Sequence, residues 1–68
     1  MLGMDVVVNG TKVATAAQSL LDLVHEQRFA GARIATALNG NFVPEPLRAT
    51  TALQPGDRIE IVSPRQGG

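Results

Sequence analysis

The chain reads as a two-layer α+β domain, one β-sheet carrying a single helix on one face. Three observations predict it. Two Asn-Gly pairs, Asn9-Gly10 and Asn39-Gly40, stand between short strand-like segments. Asn-Gly is the strongest short-range hairpin signal, because both residues tolerate positive φ. One short amphipathic stretch begins at a capping residue, Ser19. Finally, Arg58-Ile59-Glu60-Ile61-Val62 alternates polar and apolar, the period of a strand with one buried face.

The elements follow in order. Asp5-Val6-Val7-Val8-Asn9 is short and β-branched and reads as a strand, with Lys12-Val13-Ala14-Thr15 returning beside it. Ser19 caps a helix of two to three turns whose third position holds Asp22, a shorter version of the capping-box acid. Leu20, Leu21, Leu23 and Val24 form its apolar stripe, Asp22, His25, Glu26 and Arg28 face away, and it ends before Gly31. Arg33 to Leu38 reads as a mid-sheet strand, larger side chains on one face and small ones on the other. Asn41-Phe42-Val43 is a short strand that Pro44 and Pro46 confine to an edge. Leu47 to Ala52 reads as irregular or a single turn. Gln54-Pro55-Gly56-Asp57 suits a type II turn. The expected core is the helix stripe with Val6, Val8, Val13, Ile34, Leu38, Phe42, Leu53, Ile59 and Ile61.

Composition narrows the function. With 68 residues the chain is one domain with one thin core, too small for a deep enclosed active site. Six Lys plus Arg balance six Asp plus Glu, and the basic residues are scattered singly. That argues against nucleic acid, whose binders cluster positive charge. The aromatics are only Phe29 and Phe42, too few for a base-stacking platform. Cysteine is absent, which excludes disulfides, Cys-based zinc sites and a thiol nucleophile, and fits a reducing cytoplasm. No apolar run approaches the ~18 residues needed to span a bilayer. Residues 1–5 lack the features of a secretory signal, and Met4 serves equally well as a start, leaving 1–3 as a stub.

Searches for a catalytic constellation fail. His25, the lone imidazole, lies on the polar side of the helix and reads as solvated. Asp22 and Glu26 share a helix face, but nothing apolar surrounds them, so an ordinary polar face is the reading. Gly10, Gly40 and Gly56 sit in turns rather than a phosphate loop, and the two phenylalanines read as core or loop anchors. What stands out is Gly67-Gly68 at the end of the chain, a pair that chance gives in roughly one chain in two hundred at the usual Gly frequency. A frayed end, a fragment boundary or a cloning scar are the plain readings. The context favours another. A strand ends at Val62, Pro64 stiffens an extended path, and two residues without Cβ finish the chain. Such an end threads a narrow channel in another protein and presents its terminal carboxylate there. Once converted to a mixed anhydride, that carboxylate accepts a nucleophile with no help from side chains of the carrier.

The segments Val8-Asn9-Gly10, Ala37-Leu38-Asn39-Gly40, Val43-Pro44, Leu53 to Val62 and above all Pro64-Arg65-Gln66-Gly67-Gly68 together resemble the ubiquitin-like β-grasp sulfur-carrier family, most closely the carriers of bacterial thiamine biosynthesis. The resemblance runs from Met4 to the end of the chain. It implies a β-grasp mixed sheet of four to five strands with one helix, residues 1–62 as the domain and 63–68 as a flexible tail. It further implies adenylation of the Gly68 carboxylate by an E1-like enzyme that uses ATP and magnesium. Sulfur from a persulfide, supplied by a cysteine desulfurase, then yields a Gly68 thiocarboxylate for a thiazole synthase. Gly67 passes the partners' tunnels, and Gln66, Arg65 and Pro64 are read as an extended segment. The chain itself is then a carrier, not an enzyme, and binds no cofactor, nucleic acid or membrane. These carriers often have a basic residue after Val-Pro, where this chain has Glu45, so a partner contact at that position is not carried over.

The sheet face opposite the helix is the expected partner surface, with Arg58 and Glu60 on it and Val62 and Val7 supplying an apolar patch. An ordinary solvated face carrying single apolar residues is the alternative. Three other functions compete with thiamine sulfur carriage: a sulfur carrier for molybdopterin, a β-grasp module that only binds, and a modifier joined to lysines.

Overall fold

The computed structural model describes residues 3–29 and 33–63. Their elements are β1 (Met4–Val8), β2 (Thr11–Thr15), α1 (Leu20–Glu26), β3 (Ala35–Leu38), β4 (Asn41–Val43), a 3₁₀ helix (Glu45–Thr50) and β5 (Arg58–Val62). The strands form one sheet in the order β2-β1-β5-β3-β4. Every neighbouring pair is antiparallel except β1 and β5. This is the mixed five-stranded β-grasp sheet with α1 on one face, and it places the last strand in sequence at the centre.

Local chemistry sets the turns. Asn9 and Gly10 have φ of 51° and 84°, and Asn39 and Gly40 have 51° and 86°, so both hairpins close through left-handed pairs of type I′. Gly56, at φ 85° after Pro55, completes a type II turn closed by Asp57 N–H donating to Gln54 O at 3.1 Å. The Ser19 hydroxyl accepts from Asp22 N–H at 3.1 Å and caps α1. The helix stops at Glu26. Arg28 takes the left-handed conformation, φ 68°, and its N–H donates to His25 O while Phe29 N–H donates to Val24 O, both at 3.0 Å. That is a Schellman stop with arginine where glycine is the usual residue.

The core lies between α1 and the inner face of the sheet. Leu20, Leu23 and Val24 meet Val6, Val8, Val43, Ile59 and Ile61, with Leu53 and Ala17 closing the ends. Burying each large side chain stabilises by ~1.5–3 kcal/mol. Val13, Ile34, Leu38 and Phe29 pack at the margin, half-buried.

Phe42 corrects the expected core, being 68% exposed. The cause is parity. The two-residue turn makes Leu38 and Asn41, Ala37 and Phe42, and Thr36 and Val43 cross-strand partners, and partners share a face. Thr36 and Val43 point inward, so Phe42 points outward beside Ala37. Two segments also differ from expectation. The strand starts at Ala35 rather than Arg33, and residues 45–50 form a 3₁₀ helix with Leu47 exposed.

An unforeseen buried cation explains how β4 ends. Arg48 is 7% exposed. Its Nε donates to the Thr36 hydroxyl at 2.9 Å, that hydroxyl donates to Val43 O at 2.7 Å, and Nη2 donates to Ile34 O at 2.9 Å. The chain leaves the sheet after Val43, so no β4 residue stands opposite Ile34. The Arg48 side chain satisfies the carbonyl left behind. The sole ion pair among the described residues is the exposed Lys12–Asp5 contact at 3.8 Å.

Candidate functional site

The site has two parts: β5 with the segment that follows it, and the open face of the sheet around β5. β5 alternates strictly, with Ile59 and Ile61 buried and Arg58, Glu60 and Val62 exposed. It pairs with β1 on one side through Val7 and Val8, and with β3 on the other from Ala35 to Leu38. Ser63 is the last residue described before the end of the chain; Pro64, Arg65, Gln66, Gly67 and Gly68 lie outside the described residues.

Register assembles the open face. Val62 stands opposite Ala35, Glu60 opposite Ala37, Ala37 opposite Phe42, and Val7 opposite both Arg58 and Lys12. Phe42 and Val62, 68% and 56% exposed, are therefore the large apolar groups of one face, joined by the small side chains of Ala35 and Ala37. Arg58 and Glu60 lie beside them and are exposed. The structure brings Arg58, Glu60, Val62 and Val7 together opposite the helix and adds Phe42, a residue expected in the core. The signal for Phe42 was available: an outward Ala37 across a two-residue turn requires an outward residue 42.

The remaining polar candidates are structural or solvated. His25 and Asp22 are exposed on α1. Glu26 accepts a hydrogen bond from the Thr15 hydroxyl, which in turn accepts from Ala17 N–H at 3.0 Å, so this carboxylate braces the exit from β2. Glu45 is exposed at the first position of the 3₁₀ helix, where the free N–H groups of a helix start favour an acid. Among the described residues no three metal-ligating side chains converge. No helix among them is long and apolar enough to cross a membrane.

The turns at both ends of β5 are held by side chains as well as backbone. Asn39 Oδ1 accepts from Arg58 N–H at 2.9 Å and its Nδ2 donates to Asp57 Oδ1 at 3.0 Å, fixing the start of the strand. Asn9 Oδ1 accepts from Ile61 N–H at 2.9 Å and its Nδ2 donates to Ile61 O at 3.0 Å, fixing its end.

A sequence model of the ThiS family matches residues 5–68, from Asp5 in β1 to the final glycine. The chain belongs to the ThiS family. Among solved structures, that of a thiamine biosynthesis protein (ThiS) from Geobacter metallireducens matches with a TM-score of 0.81. The two are 23% identical, and the match covers 96% of this chain and 100% of that one. At that identity the likeness speaks for the fold. No match was found among curated proteins. The ThiS match takes in both parts of the site, the central strand and the Gly-Gly end.

Proposed function

We propose that this chain is a sulfur carrier of thiamine biosynthesis that bears sulfur as a thiocarboxylate on Gly68 for formation of the thiazole ring. The observation that carries this reading is the extent of the ThiS-family match, which runs through Gly67 and Gly68. The fold supports it, because β5 is the central strand of the sheet and leads directly into the segment that ends in those glycines.

The chemistry belongs to the partners. An E1-like enzyme joins the Gly68 carboxylate to AMP from ATP, with magnesium, and releases pyrophosphate. A persulfide sulfur, drawn from a cysteine desulfurase, then displaces AMP. Reduction of the sulfur–sulfur bond by a thiol leaves the thiocarboxylate, which a thiazole synthase accepts. The carrier supplies reach and access: Gly67 and Gly68 let a tunnel close on the backbone, and Pro64, Arg65 and Gln66 hold an extended approach. Residues 1–62 act as the docking body and 63–68 as the delivered tail. The open face, with Phe42 and Val62 flanked by Arg58 and Glu60, is the surface that docks on these enzymes. The chain works in the cytoplasm, as a co-substrate rather than a catalyst.

Incubating the protein with the E1-like enzyme, ATP and a persulfide donor tests this. Intact and fragment mass spectra should show one oxygen replaced by sulfur, localised to Gly68. A chain lacking Gly68 should fold normally and gain no sulfur. Tight binding to a molybdopterin synthase subunit instead of a thiazole synthase would redirect the pathway but keep the carrier chemistry.

A further inference from the structure

We infer that Asn9 is a positioning residue for the C-terminal tail, its side chain setting the point at which the rigid strand ends and the deliverable segment begins. The inference rests on the carrier reading above. It comes from an asymmetry around β5. On the β3 side, Leu38 to Ala35 stand opposite Ile59 to Val62 and Asn39 N–H donates to Arg58 O at 2.7 Å, so backbone contact runs the whole strand. On the β1 side, strand pairing covers only Arg58 and Ile59. β1 then turns away at Asn9-Gly10, and its last backbone bond to β5 is Asn9 N–H to Ile59 O at 2.9 Å.

The Asn9 side chain carries the ladder onward. Its amide accepts from Ile61 N–H and donates to Ile61 O, the two bonds that a continuing parallel β1 would make through the carbonyl of one residue and the N–H two residues on. These contacts link positions 52 residues apart in sequence, which a hairpin turn alone does not require. Without them, the second half of β5 is held from one side. A strand held from one side frays, and each frayed residue lengthens the segment a partner must order when it threads the tail. The fold also contains its own control. Asn39 occupies the same place in the other Asn-Gly turn, with the same φ of 51°, and its side chain accepts from Arg58 N–H at the opposite end of β5, away from the tail.

The experiment compares Asn9→Gly with Asn39→Gly in the full chain. Glycine keeps the left-handed turn in both, so each variant removes the side-chain bonds and preserves the hairpin. Amide exchange at Ile61 is measured for both, together with KM and kcat for adenylation by the E1-like enzyme, followed as pyrophosphate release. Asn9→Gly is expected to speed Ile61 exchange and raise KM, each about tenfold, the ratio that losing a hydrogen bond of ordinary net strength approaches, with kcat unchanged. Asn39→Gly is expected to leave KM at the wild-type value. Asn9→Asp, which keeps the acceptor for Ile61 N–H and loses the donor to Ile61 O, should fall between wild type and Asn9→Gly. Faster exchange at Ile61 with an unchanged KM overturns the inference, as does an equal rise in KM for Asn9→Gly and Asn39→Gly. A wild-type chain that is never adenylated removes the carrier reading, and the inference with it. A wild-type chain that is adenylated, beside an Asn9→Gly chain of normal KM, removes only the role of Asn9.

Discussion

The two faces of the sheet are built from the same strands and obey opposite rules. On the inner face Ile59, Ile61, Val6 and Val8 close against α1, and even the polar groups that turn inward, Thr36 and Arg48, are joined by hydrogen bonds. On the outer face Phe42 and Val62 remain exposed with nothing described over them. A small domain has little stability to spare, so apolar side chains left in water are informative when they share one surface. The contrast teaches that stability is concentrated on the helix side and leaves the other side free for partners.

The sharpest way to break that contrast is from the inside. Leu23, fully buried in α1, should cost ~2–5 kcal/mol when replaced by alanine, a large part of a small domain's stability, read as a fall in the thermal midpoint. Arg48→Ala should cost about 1–3 kcal/mol in urea unfolding, because it leaves the Ile34 carbonyl and the buried Thr36 hydroxyl oxygen without the donor they share. On the outer face Phe42→Ala should change stability by less than about 0.5 kcal/mol. It should weaken binding to the E1-like enzyme or the thiazole synthase by roughly fivefold or more, measured by calorimetry, as loss of an exposed aromatic anchor does. The smallest effect should be a gain. Arg28→Gly relieves a left-handed residue at the end of α1 and should stabilise by about 0.5–1 kcal/mol, with adenylation kinetics unaltered.

Much of the inner face was legible in the sequence, because its signals are local. Positive φ at Asn-Gly, the Pro55-Gly56 turn, the Ser19 cap and the alternation of β5 each depend on a few neighbouring residues. Face parity at β4 was harder to read. It depends on which residue Phe42 stands across from, and an apolar aromatic between Asn41 and Val43 suggests burial when taken alone. Arg48 was illegible for a different reason: nothing in its own neighbourhood announces that a strand ending at Val43 leaves a carbonyl 14 residues away in need of a donor. The side-chain contacts of Asn9 and Asn39 across β5 are likewise long-range, and the turn signal concealed them by explaining both residues fully. The candidate site divides in the same way. The Gly67-Gly68 end and the exposed residues of β5 could be read from the chain, whereas the apolar patch that includes Phe42 required the register.

The most direct test is the mass of the intact chain recovered after co-expression with an E1-like enzyme and a persulfide source. Sulfur carriage predicts a population in which sulfur has replaced one oxygen, confined to the C-terminal glycine fragment and absent when residues are appended after Gly68. An unmodified chain in the presence of an active enzyme, or sulfur found anywhere else, would contradict it.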